Sequence, residues 1–120
     1  MRVIIAGSRT LRDGAVVRQA MIDSGFAPTV VLCGDCRGAD ALGELWAYAR
    51  GIPVHHFPAQ WNRYGKRAGP IRNATMVSKA DALVAVWDGT SFGTADVIRQ
   101  ARERGLKVHM HVYTASPRVE

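Results

Sequence analysis

At 120 residues, with 48% hydrophobic and 22% charged side chains, the chain has the length and composition of one ordinary globular domain, which excludes a collagen-like repeat, a coiled coil and a disordered polymer. Its net charge of +6 is local: Arg63, Lys66, Arg67, Arg72 and Lys79 fall between Pro58 and Ala80 with no acid among them, so an anionic partner is expected. No apolar run approaches the ~20 residues of a membrane span, the Val3 to Ala6 run is too short for a signal-peptide core, and two cysteines cannot form a disulfide framework; a cytoplasmic protein without a membrane partner is expected.

Val3 to Ala6 reads as a first strand, ended by Gly7 and followed by Ser8, Arg9 and Thr10. Val16, Val17, Ala20 and Met21 then recur at helical spacing. Thr29 to Cys33 is a second strand, whose turn from Gly34 through Cys36 and Gly38 to Asp40 opens a helix with Leu42, Leu45, Trp46 and Ala49 on one face. Ile52 to Phe57 is a third strand. Trp61 and Tyr64 interleave with Arg63, Lys66 and Arg67 in an expected loop, and a weaker helix runs from Gly69 to Lys79. Ala82 to Trp87 is a fourth strand, followed by Asp88, Gly89, Thr90, Ser91, Phe92, Gly93 and Thr94, a helix carrying Val97, Ile98 and Ala101, and a last strand from Lys107 to Tyr113. Strands that are apolar on both faces and alternate with helices predict an α/β fold: a Rossmann-like, doubly wound parallel sheet of about five strands, helices on both faces, the first strand near the centre. The domain is expected over 1–113, with a loose polar tail over 114–120.

In such folds ligands collect beyond the carboxyl ends of the strands, where three glycine turns lie in this chain. A glycine turn taken singly is ordinary α/β construction; three at one sheet edge, with Arg9 and a helix N-terminus among them, suit a phosphate. Neither the dinucleotide fingerprint nor the P-loop lysine pattern is present, so redox chemistry on NAD and ATP hydrolysis lose support, and no cofactor is expected.

Gly7-Ser8-Arg9, the Gly34 to Asp40 turn, the stretch from Trp61 to Asn73, and Gly89-Thr90-Ser91-Phe92-Gly93-Thr94 resemble the SLOG superfamily, and more narrowly its small YspA-related branch. The superfamily also holds the Lonely Guy phosphoribohydrolases, the DNA-processing protein A family and proposed sensors of nucleotide-derived signals. The resemblance implies a Rossmann-like fold and a nucleotide-type ligand. With the turns, it gives an expected ligand site of Gly7, Ser8, Arg9, Gly34, Gly38, Asp40, Trp61, Lys66, Arg72, Asn73, Gly89, Ser91, Gly93 and Thr94. In the Lonely Guy enzymes a glutamate three residues after the last Gly-Thr pair assists glycosidic cleavage; Val97 stands there in this chain. Asp40, Asp88 and Asp96 are the carboxylates left for that chemistry.

Other residues have simpler roles. Cys33 and Cys36 have redox-motif spacing, yet no second pair completes a zinc site. His55 and His56 fall on one strand, and His109 and His111 share a face of the last one, as ordinary sheet residues do. Trp46 and Trp87 are expected in the core, whereas Trp61 and the Tyr64 to Arg67 loop, flexible at Gly65 and Gly69, are expected to cover the site and stack a base. The function expected is the binding or sensing of a nucleotide without turnover. An N-glycosidic nucleotide hydrolase and a single-stranded nucleic-acid binder are the alternatives. Nucleic-acid binding is expected to be weak at most, and a homo-oligomer is left open.

Overall fold

The computed structural model describes residues 1–34 and 38–114; Asp35, Cys36 and Arg37, and 115–120 of the expected tail, lie outside the described residues. Five strands, β1 (Arg2–Gly7), β2 (Val30–Gly34), β3 (Val54–Phe57), β4 (Ala82–Trp87) and β5 (Lys107–Val112), form one parallel sheet in the order β3-β2-β1-β4-β5. The expected α/β Rossmann-like fold is present, with β1 in the middle. Between strands lie α1 (Gly14–Ser24), α2 (Ala39–Ala49), α3 (Trp61–Tyr64), a 3-10 turn (Gly65–Arg67), α4 (Ala68–Lys79) and α5 (Phe92–Glu103). Among the described residues, no helix is long and apolar enough to cross a membrane.

The three central strands are buried on both faces, which is why their sequences are continuous apolar runs rather than alternating ones. One side of the sheet, through Val3, Ile5, Val31, Val84 and Val86, packs against Val17, Ala20 and Met21 of α1 and Ala39 and Ala47 of α2. The other, through Ile4, Leu32, Leu83 and Ala85, packs against Met76 and Val77 of α4 and Val97, Ile98 and Ala101 of α5. The edge strands β3 and β5 differ: both are half exposed, with His55 and His56 on the surface. Pro53 delays β3 to Val54, since it has no N–H for the ladder; its carbonyl still accepts from the Val31 N–H at 2.9 Å.

Two expectations fail for local reasons. Leu45 and Ala49 do not face the core: Leu45 is 62% exposed. The face of α2 turned to the sheet is Ala39, Gly43 and Ala47, and a Cβ on Gly43 would lie 2.5 Å from Ile5 Cγ2. The helix sits so close to β1 that only small residues fit beneath it, which rolls Leu45 outward. The segment from Trp61 to Arg67 is helical rather than a loop. The Gln60 carbonyl accepts from the amides of Arg63 and Tyr64, each at 3.0 Å. Gly65, at φ 57°, ends α3 and donates to the Trp61 carbonyl, so its freedom serves a helix cap and not a hinge.

Candidate functional site

Because the strand order reverses between β1 and β4, the chain leaves these neighbouring strands toward opposite sides of the sheet and opens a crevice at their carboxyl ends. A cavity of about 270 Å³ lies there, between the end of β1, the start of α2, one face of α4 and the start of α5.

Its β1 wall is built by close approach. A Cβ on Gly7 would collide with the Val86 carbonyl and the Ala39 methyl, so only glycine lets β1, β4 and α2 meet. Gly38, at φ 69°, lies against the backbone of Ser8 and Arg9, a conformation and a gap that both favour glycine. The Ser8 N–H donates to the Val86 carbonyl (3.0 Å), and the Ser8 carbonyl accepts from the Ala39 N–H (3.1 Å), which locks the first turn of α2 onto β1.

The opposite wall is the Asp88–Thr94 turn. Asp88 Oδ1 accepts from the amides of Thr90 and Ser91, both at 2.9 Å, and the Ser91 hydroxyl donates to the same carboxylate. The Asp88 N–H in turn donates to Ser8 Oγ (2.9 Å), tying the two walls together. Burial alone would raise the Asp88 carboxyl, but these hydrogen bonds hold it down to about 2. Since the Ser91 hydroxyl is committed to Asp88, it makes no cap to α5, and the first amides of that helix have no intrahelical carbonyl to reach. Trp87 adds a strut the sequence did not suggest: its indole N–H donates to the Ser91 carbonyl at 3.1 Å.

The floor carries charge. Asp40, 6% exposed, accepts from the Gly7 N–H at 3.2 Å. Burial pushes its carboxyl up to about 6, against the lowering influence of Arg72, the Gly7 amide and Arg9. Arg72 passes over Gly34, where a Cβ would strike its guanidinium, and donates from Nε to Asn73 Oδ1 (3.0 Å) and from Nη1 to the Phe57 carbonyl (3.3 Å). Asn73, buried, donates to the Gly93 carbonyl (3.3 Å) and to Asp96 Oδ2 (3.0 Å), joining α4 to the first turn of α5.

Of the residues expected from the sequence, Gly7, Arg9, Asp40, Arg72, Asn73, Ser91, Gly93 and Thr94 line this cavity. Ser8, Gly34, Gly38 and Asp88 do not line it; they hold its walls. Gly89 is an exposed turn residue at φ 87°. Trp61 and Lys66 are not brought to the cavity. Trp61 is 49% exposed and leans on Gly69 of α4, within 3.4 Å of where a Cβ would be, while Lys66 lies on the exposed 3-10 turn. Asp96 points elsewhere: despite partial burial, hydrogen bonds from Asn73, Gln100 and Arg99 hold its carboxyl low. Asp40 is thus the one carboxylate among the described lining residues. Thr10, Met76, Phe92 and Val97 also line the cavity; helical spacing marks Val97 as core but does not say that its side chain also forms a cavity wall. Cys33 is buried, and burial pushes its thiol up, away from the thiolate that redox or metal chemistry needs. Cys36 lies outside the described residues.

The five clustered cations do not make one patch. Arg63, Lys66 and Arg67 are exposed around α3, and Arg72 turns inward. Lys79 ends α4, where its carbonyl accepts from Arg2 at the amino end of β1. At ~1.5 Å per residue the helix carries it about 10 Å from Arg72.

A family model described as YspA, cpYpsA-related SLOG matches residues 1–64, from β1 through α3. The Gene 61 protein of Mycobacterium phage D29 is 34% identical over 116 residues, 89% of this chain and 93% of that protein. No solved structure matches the chain.

Proposed function

Because this chain belongs to the YspA, cpYpsA-related SLOG family, we propose that it binds a nucleotide or nucleotide derivative by its phosphate in the crevice between β1 and β4, as a sensing or sequestering protein. One observation carries the reading: the open amides of the first turn of α5, the exposed Arg9 and the half-buried Arg72 meet in a single cavity. A helix N-terminus favours an anion through its amides and dipole, and guanidinium forks bind phosphate oxygens in pairs. At about 270 Å³, the cavity falls just below the ~300–1,000 Å³ of ligand clefts, which suits a phosphate and its sugar better than a whole dinucleotide.

The test has two steps. Ligand released by heat from the purified protein is identified by mass spectrometry, and nucleoside monophosphates are titrated calorimetrically into the wild type, Arg9→Ala and Arg72→Ala. Each substitution is expected to weaken binding about ten- to hundredfold, the usual cost of losing one charged partner of a phosphate. A wild type that carries no nucleotide and binds none of them overturns the reading.

A second reading, N-glycosidic hydrolysis, is favoured by Asp40 alone. A carboxyl raised to about 6 in a cavity wall suits a general acid. Against it, Val97 puts a hydrocarbon side chain where the resembling hydrolases carry a glutamate. Incubation with AMP is expected to release no adenine; release that disappears in Asp40→Asn would reverse this preference.

A further inference from the structure

A second cavity, of about 210 Å³, opens beside the first at the carboxyl end of β3. The two lie on different sides of the early turns of α4: Asn73 and Met76 line the first, Ala68, Ile71 and Thr75 the second, and Arg72 lines both. The contacts of Arg72 and its neighbour connect the two chambers. Asn73 donates to the Gly93 carbonyl at the start of α5, Arg72 Nε donates to Asn73, and Arg72 Nη1 donates to the Phe57 carbonyl at the rim of the second cavity. Two adjacent side chains therefore span the whole distance from the α5 N-terminus to the end of β3.

We infer that the second cavity takes the base of the nucleotide whose phosphate is held in the first, with Arg72 lying beside the link between them. This rests on the phosphate-binding reading above. The walls of the second cavity suit a flat, amphipathic group. Tyr64, Phe57 and Ile71 supply aromatic and aliphatic surface, while the Gln60 amide, and the lone pairs of the Thr75 hydroxyl, whose proton goes to the Ile71 carbonyl, supply hydrogen-bonding groups for the edge of a base. The Arg63 guanidinium stands 5.0 Å from the centroid of the Tyr64 ring, so the ring that lines this cavity already stacks with one planar cation. Among the described residues, the first cavity has no aromatic ring within its walls. Its aromatic, Phe92, is 91% exposed at the rim.

The experiment compares ribose 5-phosphate with AMP, GMP, CMP and UMP by calorimetry on the wild type, Tyr64→Ala, Thr75→Trp and Phe92→Ala. Thr75 is exposed, so the tryptophan fills the second cavity without entering the core; it keeps the test decisive if Tyr64→Ala loosens α3. At least one monophosphate is expected to bind the wild type about tenfold or more tighter than ribose 5-phosphate, the usual gain from stacking one base. Tyr64→Ala and Thr75→Trp should erase that preference and leave ribose 5-phosphate binding unchanged, while Phe92→Ala, at the rim of the first cavity, should keep the preference for the monophosphate over ribose 5-phosphate. Equal binding of all five probes by the wild type removes the base subsite and leaves the phosphate reading standing. A preference that survives Thr75→Trp but disappears in Phe92→Ala moves the base to the other rim and overturns the inference. Failure of all five to bind removes the phosphate reading and the inference together.

Discussion

The Ser8–Asp88–Ser91 corner and the segment from Trp61 to Arg67 were equally suggestive in sequence, each rich in polar or charged residues next to glycine, yet they are built in opposite ways. In the corner, the polar groups are partnered with one another: Ser8 Oγ accepts from Asp88 across the two walls, Asp88 accepts from Ser91 within its own turn, and Gly7 and Gly38 let three backbones close together. The other segment is a short helical run whose cations point to solvent and whose glycine caps a helix. The difference teaches that a binding site is marked less by the charges near it than by how firmly its donors are aimed. A preorganised donor loses little conformational freedom when the ligand arrives, while an exposed Lys or Arg must give up its own.

The contrast can be broken most severely at the glycines. Gly7→Ala forces a methyl group into the Val86 carbonyl and the Ala39 side chain, and backbone cannot give way as a flexible side chain can. A loss of about 3 kcal/mol or more is expected in denaturant unfolding, at or beyond the top of the ~1–3 kcal/mol range for overpacking. Gly69→Ala, beneath Trp61, meets only the edge of a half-exposed ring and gains helix propensity, so its change should stay within ~1 kcal/mol and lean toward stabilisation. Comparable losses at the two positions would mean that the segment is packed as tightly as the corner.

Asp40 gives the next largest effect. Its carboxyl is raised from 3.8 to about 6 in the folded protein, so between those values the folded state holds a proton that the unfolded state has released. Stability must then fall as pH rises through this window, by about 3 kcal/mol at 1.36 kcal/mol per pKa unit, and must be flat with respect to Asp40 below and above it. Asp88 and Asp96, held low, act below that range and in the opposite direction. In Asp40→Asn the fall between about pH 4 and pH 6 should be missing, so variant and wild type diverge across the window in urea titrations. Parallel curves would show that Asp40 is not buried as described.

How much of this was legible follows from the same contrast. Strands and helices could be read because burial on two faces writes a continuous apolar run and burial on one face writes a helical period; β1, β2 and β4 and the cores of α1 and α5 came out as expected. The first cavity could be read because a parallel sheet places its strand-to-helix turns at one edge. Hydrophobic periodicity missed what close packing decides. Gly43 rolls α2 toward β1, and no hydrophobicity pattern records that a helix approaches so near that a methyl group cannot fit. It also missed what hydrogen bonding decides: Gln60 nucleates α3 through its carbonyl, a backbone property that composition does not reveal. Trp87 illustrates both, since its indole is part of the apolar layer while its N–H braces Ser91.

The exposed cations provide a smaller effect and a sharper comparison. With Lys66 and Arg67 replaced together by alanine, binding of a labelled single-stranded oligonucleotide should lose part of its salt dependence, which is ~0.7 per neutralised phosphate for single strands, a change in slope of about 1.4. Binding of a nucleoside monophosphate should change less than about twofold, because neither residue lines either cavity. A tenfold loss of mononucleotide affinity in this variant would place the cations at the ligand and end the distinction between aimed and merely nearby charge.

Trp61 should give the smallest change, and it is the residue whose sequence context promised most. Deletion of a buried tryptophan costs ~3–5 kcal/mol, and deletion of a stacking one costs ~1–3 kcal/mol of binding. Trp61 meets neither condition: it is 49% exposed, its ring rests on Gly69, and it lines no described cavity. What it covers is the first turn of α4, whose N-terminal residues otherwise face water. Trp61→Ala is therefore expected to cost about 1 kcal/mol of stability by thermal unfolding, from the half of its surface that is buried, with mononucleotide affinity unchanged within twofold. Its fluorescence, isolated by comparison with Trp61→Phe, should likewise stay constant on nucleotide addition, since no ligand group reaches the ring. A tenfold loss of affinity in Trp61→Ala would bring the α3 segment into contact with the ligand, and the stacking role assigned to Tyr64 would then belong to both faces of that helical turn.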